Sequence, residues 1–257
     1  MPDRWPISVT KRATTGRKNQ LLLKTLGSGE EKVITSYVAS GPAFSPDGRY
    51  LVYSKIQPST IYGNNYHDLY IYDLEEEEEY QISKGLRARH PDWSVNNELV
   101  FVISQDGTGM VYRWQIDTQK LAADYQSHQI EIHSGKVHPG TSKGRIDAEL
   151  RTFDIRMDNL PEAVTTYKAG VQYYLPRFSP DGKKLVYSTS NGWGRSIQMA
   201  DLVTGKVSAW LDARADVRDP AFGPDGNRIY FTSDKTGIFN LYSCTVDGSD
   251  EQLHTNV

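Results

Sequence analysis

One phrase recurs through this chain, and it restricts the folds open to it. Phe44-Ser45-Pro46-Asp47-Gly48, Phe178-Ser179-Pro180-Asp181-Gly182 and Phe222-Gly223-Pro224-Asp225-Gly226 each lie just after a proline. Each precedes a short β-rich run: Leu51-Val52-Tyr53, Leu185-Val186-Tyr187 and Ile229-Tyr230-Phe231. A fourth copy, Pro91-Asp92-Trp93-Ser94-Val95-Asn96-Asn97 before Leu99-Val100-Phe101, keeps the frame with one residue fewer. The unit is a hairpin. Proline presets φ at the first corner of a turn, aspartate suits the next position, and glycine accepts the left-handed conformation that closes it. The flanking runs are aromatic and β-branched, as strands prefer.

The aromatic markers at 44, 93, 178 and 222 are 49, 85 and 44 residues apart, so the middle interval spans nearly two repeats. A second marker fills the gap. Asp73, Asp117, Asp158, Asp201 and Asp247 recur at the terminal hairpins with spacings of 44, 41, 43 and 46. They predict a decayed repeat ending in Phe153-Asp154-Ile155-Arg156-Met157-Asp158. The run Leu21–Leu26 followed by Val33-Ile34 has the shape of one more terminal hairpin. Repeats of roughly 40–50 residues, each holding four short strands, are propeller blades.

The chain is therefore expected to be all-β, a six-bladed β-propeller of four-stranded antiparallel blades forming one domain. The expected blades are 5–35, 36–83, 84–126, 127–168, 169–211 and 212–257. The first is incomplete, with residues 5–17 to supply its inner strands and Ile7-Ser8-Val9-Thr10 as the candidate. The alternative is six consecutive blades of a longer propeller.

The Phe-Ser-Pro-Asp-Gly phrase, between a proline and a Leu-Val-Tyr strand, resembles the WD-like repeat of the TolB-like β-propeller family over roughly residues 36–257. That resemblance implies the propeller fold, a non-catalytic binding role toward a protein or peptide segment or a small polar ligand, and a periplasmic or exported setting. The same repeat class includes propellers attached to hydrolases and others resembling oligogalacturonate lyases. The alternative it implies is a metal-assisted lyase or hydrolase acting on an acidic saccharide, or an accessory propeller of a larger exported protein.

Composition removes other classes. Among 257 residues, 32 acids against 29 bases leave a net charge of −3, without the basic surplus of a nucleic-acid binder. The longest apolar runs, such as Leu99–Ile103, are strand-sized, so no membrane insertion is expected. A single cysteine, Cys244, permits no internal disulfide. No charged-then-apolar leader opens the sequence, which reads as cytoplasmic, already processed, or a piece of something longer. There is no Gly-x-Ser-x-Gly elbow, and His128 and His133 are five apart where a zinc-protease helix needs four. His128, His133 and His138 form a weak metal candidate, set against a strand reading that puts the first two on opposite faces. No cofactor is expected. Gly135–Thr141 lacks the lysine of a phosphate loop, and Glu75–Glu79 reads as a solvated hairpin rim.

Topology points to a binding face. In a four-stranded meander the Pro-Asp-Gly and aspartate turns share one end of each blade, and the middle connections share the other. The longest middle connection runs from Lys55 to His67. Beside the expected channel sit Ser40, Arg89-His90, Tyr173-Tyr174 and Arg218-Asp219, which vary while the neighbouring proline and aromatic residue stay fixed. Variable positions on a repeated frame are where such folds carry binding sites. The candidate ligand- or partner-binding residues are Tyr66, His67, Arg89, His90, Tyr174, Trp193, Arg195, Arg218 and Asp219. The competing expectation pairs Arg89 and Arg218 with Asp92 and Asp219 on a wet rim.

Overall fold

A computed structural model describes residues 4–13, 16–25, 27–58, 65–105, 108–121, 128–132, 151–155, 159, 161–192, 194–211 and 215–256. Apart from a three-residue 3-10 turn at Thr118–Lys120, every regular element among them is a β-strand, and every strand pairing is antiparallel. The strands form six sheets. Blade 1 has three strands, Arg4–Ala13, Gly16–Thr25 and Glu31–Ser36. Blade 2 has four: Val38–Phe44, Tyr50–Pro58, Asn65–Asp73 and Glu78–Gln81. Blade 3 is built on Ala88–Trp93, Glu98–Gln105 and Thr108–Gln115. Blade 4 comprises Gln172–Phe178, Lys184–Ser190, Arg195–Asp201 and Val207–Leu211. Blade 5 comprises Val217–Phe222, Arg228–Ser233, Asn240–Thr245 and Gln252–Leu253. The fold is an all-β propeller.

The apolar interior is divided into layers, one between each pair of successive blades. Side chains alternate across a strand, so the second strand of each blade feeds two layers. Leu51 and Tyr53 pack toward blade 1, while Val52 joins Leu99, Phe101 and Ile103 of blade 3. Val100 and Val102 face blade 4 with Leu185 and Tyr187, and Val186 faces Ile229 and Phe231 of blade 5. The Leu-Val-Tyr run thus serves both neighbours at once. Blade 5 differs on its other face. Tyr230 stands where its predecessors carry valine, and its ring lies 5.4 Å from that of His254. Next to it Arg228 donates to Ser243 Oγ at 3.0 Å and to Asp250 at 2.6 Å.

Both sequence markers have a physical basis. Asp73, Asp201 and Asp247 accept backbone N–H groups two or three residues on, which folds the hairpin as an Asx-turn, whereas Asp117 uses the same bond to cap the 3-10 turn Thr118–Lys120. The Thr245 and Ser249 hydroxyls, with the Ser249 amide, hold Asp247 down at about 2. Gly48, Gly182 and Gly226 take φ of 76°, 69° and 71°, and in the shortened blade 3 turn Asn97 does so at 58°. The two turn types share one end of the blade, as the Arg49 guanidinium bonded to Asp73 shows. The Glu75–Glu79 rim is engaged by cations: Arg49 meets Glu75 and Glu76, Lys32 meets Glu77, and Lys55 meets Glu79.

The structure corrects the blade boundaries 84–126 and 127–168. Glu162–Ala163, expected inside a separate blade, pairs with Tyr112 and Arg113 as the outer strand of blade 3. Arg113 forms an ion pair with Glu162, Trp114 Nε1 donates to Asn159 O at 3.0 Å, and Val164 N donates to Val111 O at 2.8 Å. The strand at Phe153–Ile155 exists, within Arg151–Ile155. It pairs with His128–Ile132 and with Ser83–Lys84, which follows blade 2, and these make the sixth sheet. That sheet does not separate blades 3 and 4, because Val171 and Tyr173 pack directly with Val100, Val102 and Val111. Asp158, His133 and His138 lie outside the described residues, as does the His128 side chain.

Two hydrogen bonds stitch the inner strands together. Ser40 Oγ, 2.6 Å from Ser54 Oγ, accepts the His90 amide at 2.9 Å and joins blade 2 to blade 3. Asp92 Oδ2 accepts the Phe178 amide at 2.8 Å and joins blade 3 to blade 4. Replacing Asp92 with alanine leaves that amide without its acceptor and removes the carboxylate 4.0 Å from Arg177. The expected loss is about 1–3 kcal/mol in urea denaturation, and an unchanged midpoint would show that the stitch contributes nothing.

Candidate functional site

The inner strands carry the site through a repeated irregularity. The strand register slips between Val100 and Val102, between Tyr174 and Arg177, and between Arg218 and Ala221. At each slip the residue before the proline is left-handed: His90 at φ 56°, Leu175 at 47° and Asp219 at 55°. A non-glycine residue in this region costs roughly 1–2 kcal/mol, and a following proline adds its own restriction. Such bulges re-aim side chains next to functional sites. In blade 2 the corresponding residue is Gly41.

Three blades converge here. His67 comes from the third strand of blade 2, and Arg89 and His90 from the inner strand of blade 3. Blade 4 supplies Tyr174, Arg177 and Arg195. The His90 and Tyr174 rings are tilted with centroids 6.4 Å apart, and the Arg195 guanidinium lies over the Tyr174 ring at 4.3 Å. Arg89 donates to Ser104 Oγ. Arg177 donates to Pro91 O at 3.3 Å and approaches Asp92 at 4.0 Å. Asp92 is pushed up by burial, opposed by Arg177 and the Phe178 amide.

The electrostatics are one-sided. Burial drives His90 down to about 4, reinforced by Arg89, Arg177, His67 and Arg195. His67 is lowered by burial and then by Arg89. Both rings are therefore uncharged at neutral pH. Nδ1 of each is buried without a hydrogen-bond partner among the described residues. Buried polar atoms are nearly always paired, so two orphans in one site need an explanation. Forked guanidinium donors beside unsatisfied imidazoles can hold an anionic oxygen group, and a carboxylate suits them best.

The sequence-predicted residues divide. His67, Arg89, His90, Tyr174 and Arg195 come together. Arg218 does not join them: it is tied to Asp216 and lies over the Phe239 ring at 4.5 Å. Asp219 is exposed. The rim pairings of Arg89 with Asp92 and Arg218 with Asp219 are replaced by Arg89–Ser104 and Arg218–Asp216. The side chains of Tyr66 and Trp193 lie outside the described residues. Arg177 was missed, although a signal existed. It stands between the fixed proline and the fixed aromatic, where the other copies have Ala43, Asp92 and Ala221. Among the described residues no three His, Cys, Asp or Glu side chains gather to hold a metal ion, and no helix is long and apolar enough to cross a membrane.

No family model matches the chain. It is 44% identical over 63 residues to the uncharacterized peptidase YuxL of Bacillus subtilis, covering 24% of this chain and 10% of that protein. It is 31% identical over 75 residues to the Tol-Pal system protein TolB of Francisella tularensis subsp. holarctica, covering 27% and 17%. The chain thus spans a small part of these relatives. Among solved structures, TolB from Acinetobacter baumannii superposes with a TM-score of 0.63 at 17% identity, over 96% of this chain and half of that one. An oligogalacturonate lyase from Vibrio parahaemolyticus gives 0.56 at 14%, over 92% and 61%. The fold is that of a TolB-like β-propeller.

The neutrality of His90 predicts a pH dependence. Unfolded, the ring titrates near 6.5; folded, at about 4. Between those values the unfolded chain binds more protons, so this contribution is complete above pH 6.5, declines as pH falls, and levels off below about 4. It amounts to at most about 3 kcal/mol. His90→Asn retains a side chain that tolerates left-handed backbone. Urea denaturation at pH 7 and 4.5 should show the variant losing about 1–2 kcal/mol less than the parent on acidification; equal losses would mean that His90 is not buried uncharged.

Proposed function

We propose that this chain is a non-catalytic binding propeller of TolB-like type, which recognises a protein or peptide segment through an acidic group placed at the convergence of its inner strands. One observation carries this reading: two half-buried, uncharged histidines whose buried Nδ1 atoms have no partner among the described residues lie among three arginines drawn from adjacent blades. The arginines supply charge and forked donors, the imidazoles supply short-range hydrogen bonds, and the left-handed backbone at His90 and Leu175 sets these side chains on a rigid frame. Rigid placement is what lets a polar site bind without a large ordering cost. The TolB relatives support a binding role, because the resemblance is to propellers of a Tol-Pal system protein. Small polar ligands bearing a carboxylate would use the same groups.

Fluorescence anisotropy with a labelled eight-residue Asp/Glu peptide, against its Asn/Gln counterpart, tests the proposal. The acidic peptide should bind at least about tenfold more tightly, and Arg89→Gln should remove about tenfold of its affinity, as expected for one charge-assisted hydrogen bond. Circular dichroism of the variant should be unchanged. Equal binding of the two peptides, or full affinity in the variant, would overturn the reading. Turnover of an acidic oligosaccharide by the purified chain would replace it with the lyase alternative.

A further inference from the structure

A second site lies beyond Arg195. Between blades 4 and 5 there is an open cleft of about 910 Å³, within the roughly 300–1,000 Å³ usual for small-ligand sites. Its carboxylates come from one blade, and its cations unpaired among the described residues come from the other side. Lys168, on the connection into blade 4, and Arg195, at the start of the blade's third strand, form one wall. Asp216 and Asp234 of blade 5 form the other; Lys235 also lines that side, with its ammonium paired to Glu251 and lying over the Tyr242 ring at 4.0 Å. Ser196 and Gln198 line the space between with neutral polar groups.

The acidic wall is a built structure. The Asp216 amide donates to Asp234 Oδ1 at 2.9 Å, which holds the Asp234 carboxylate against the Asp216 main chain. Arg218 is hydrogen-bonded to Asp216 Oδ2. That bond, with the charges of Arg218 and Arg195, holds Asp216 below the usual carboxylate range and keeps it ionised at neutral pH. Its other oxygen, Oδ1, is buried without a hydrogen-bond partner among the described residues. An ionised oxygen in that state is costly, and the cleft it lines is where a donor would come from. The opposing wall wants an acceptor. Arg195 keeps its place on that wall by stacking over Tyr174, and Lys168 is exposed.

Neither a simple anion nor a simple cation satisfies both walls. Among the described residues of the lining the one aromatic ring is Tyr173, only 6% exposed, so they offer no open aromatic face to a saccharide. We infer that the cleft binds a zwitterion, an amino acid or short peptide, with its ammonium group against Asp216 and Asp234 and its carboxylate against Lys168 and Arg195. The site is separate from the convergence of the inner strands and shares with it only Arg195, which stands between the two.

Tri-alanine, its N-acetylated form and its C-terminal amide, each titrated into the whole protein and followed by 1H–15N NMR, test the inference. The free zwitterion should saturate in the millimolar range or better, with shifts at Asp216, Asp234 and the flanking strands. Each blocked form should bind about tenfold more weakly, the scale of one lost charged contact. Lys168→Gln, an exposed change that leaves the fold intact, and Asp216→Asn should each weaken tri-alanine about as much, while Lys168→Gln leaves the acidic-peptide affinity unaltered. Equal binding of the blocked forms, no saturation, undiminished affinity in Lys168→Gln, or shifts centred on His90 would each overturn it. Failure of the acidic peptide alone would not, because that peptide reports on Arg89 and His90.

Discussion

The site depends on blade 3 meeting blade 4 with nothing between them. Val100, Val102 and Val111 close directly on Val171, Tyr173 and Tyr187, and Asp92 reaches across to the Phe178 amide. That contact brings Arg177, Tyr174 and Arg195 within range of Arg89 and His90. A sheet inserted at this seam would leave His90 without the guanidinium groups that help to keep it uncharged. The excursion after Leu121 returns to the same blade through Glu162–Ala163, so the long interval between sequence markers costs the propeller no continuity.

Strain and packing work together around the inner strands. Layered cores hold blades 2, 3 and 4 by both faces, and alternation of Leu, Val and Tyr satisfies both neighbours. A frame fixed in that way can sustain left-handed residues before prolines at 90, 175 and 219, which an isolated hairpin would relax. The irregular positions are also the chemically variable ones. Stable repetition and local exception therefore occupy the same strands, and the exceptions gather where the strands converge.

Much of this was legible in the sequence. The Pro-Asp-Gly turns, the aspartate hairpins and the assignment of the two turn types to one end of each blade follow from short-range backbone chemistry, and short-range chemistry is written in consecutive residues. The grouping of His67, Arg89, His90, Tyr174 and Arg195 followed from the repeat frame. What was hidden depends on pairing over long sequence distances. Nothing local to Glu162-Ala163 reveals that it will pair with Tyr112 and Arg113, because two residues carry no register of their own. Arg218 looked equivalent to Arg89 by position, yet Asp216, two residues before it, captures its guanidinium. Asp216 and Asp234 were not singled out because their importance lies in an orphaned oxygen and a hydrogen bond spanning 18 residues, which no spacing rule encodes.

Gly109 gives the sharpest probe of the central seam. A side chain there would come within 3.1 Å of the Tyr173 backbone nitrogen and 3.4 Å of Val102 Cγ1, whereas one at Gly194 would meet nothing within 4 Å. Neither glycine has a left-handed φ, so space alone distinguishes them. Urea denaturation of Gly109→Val and Gly194→Val measures the closeness of the blades directly. The direct seam predicts a loss of about 1–3 kcal/mol for the first, the usual cost of overpacking, and little change for the second. Equal tolerance at the two positions would contradict the contact between blades 3 and 4 on which the site is built.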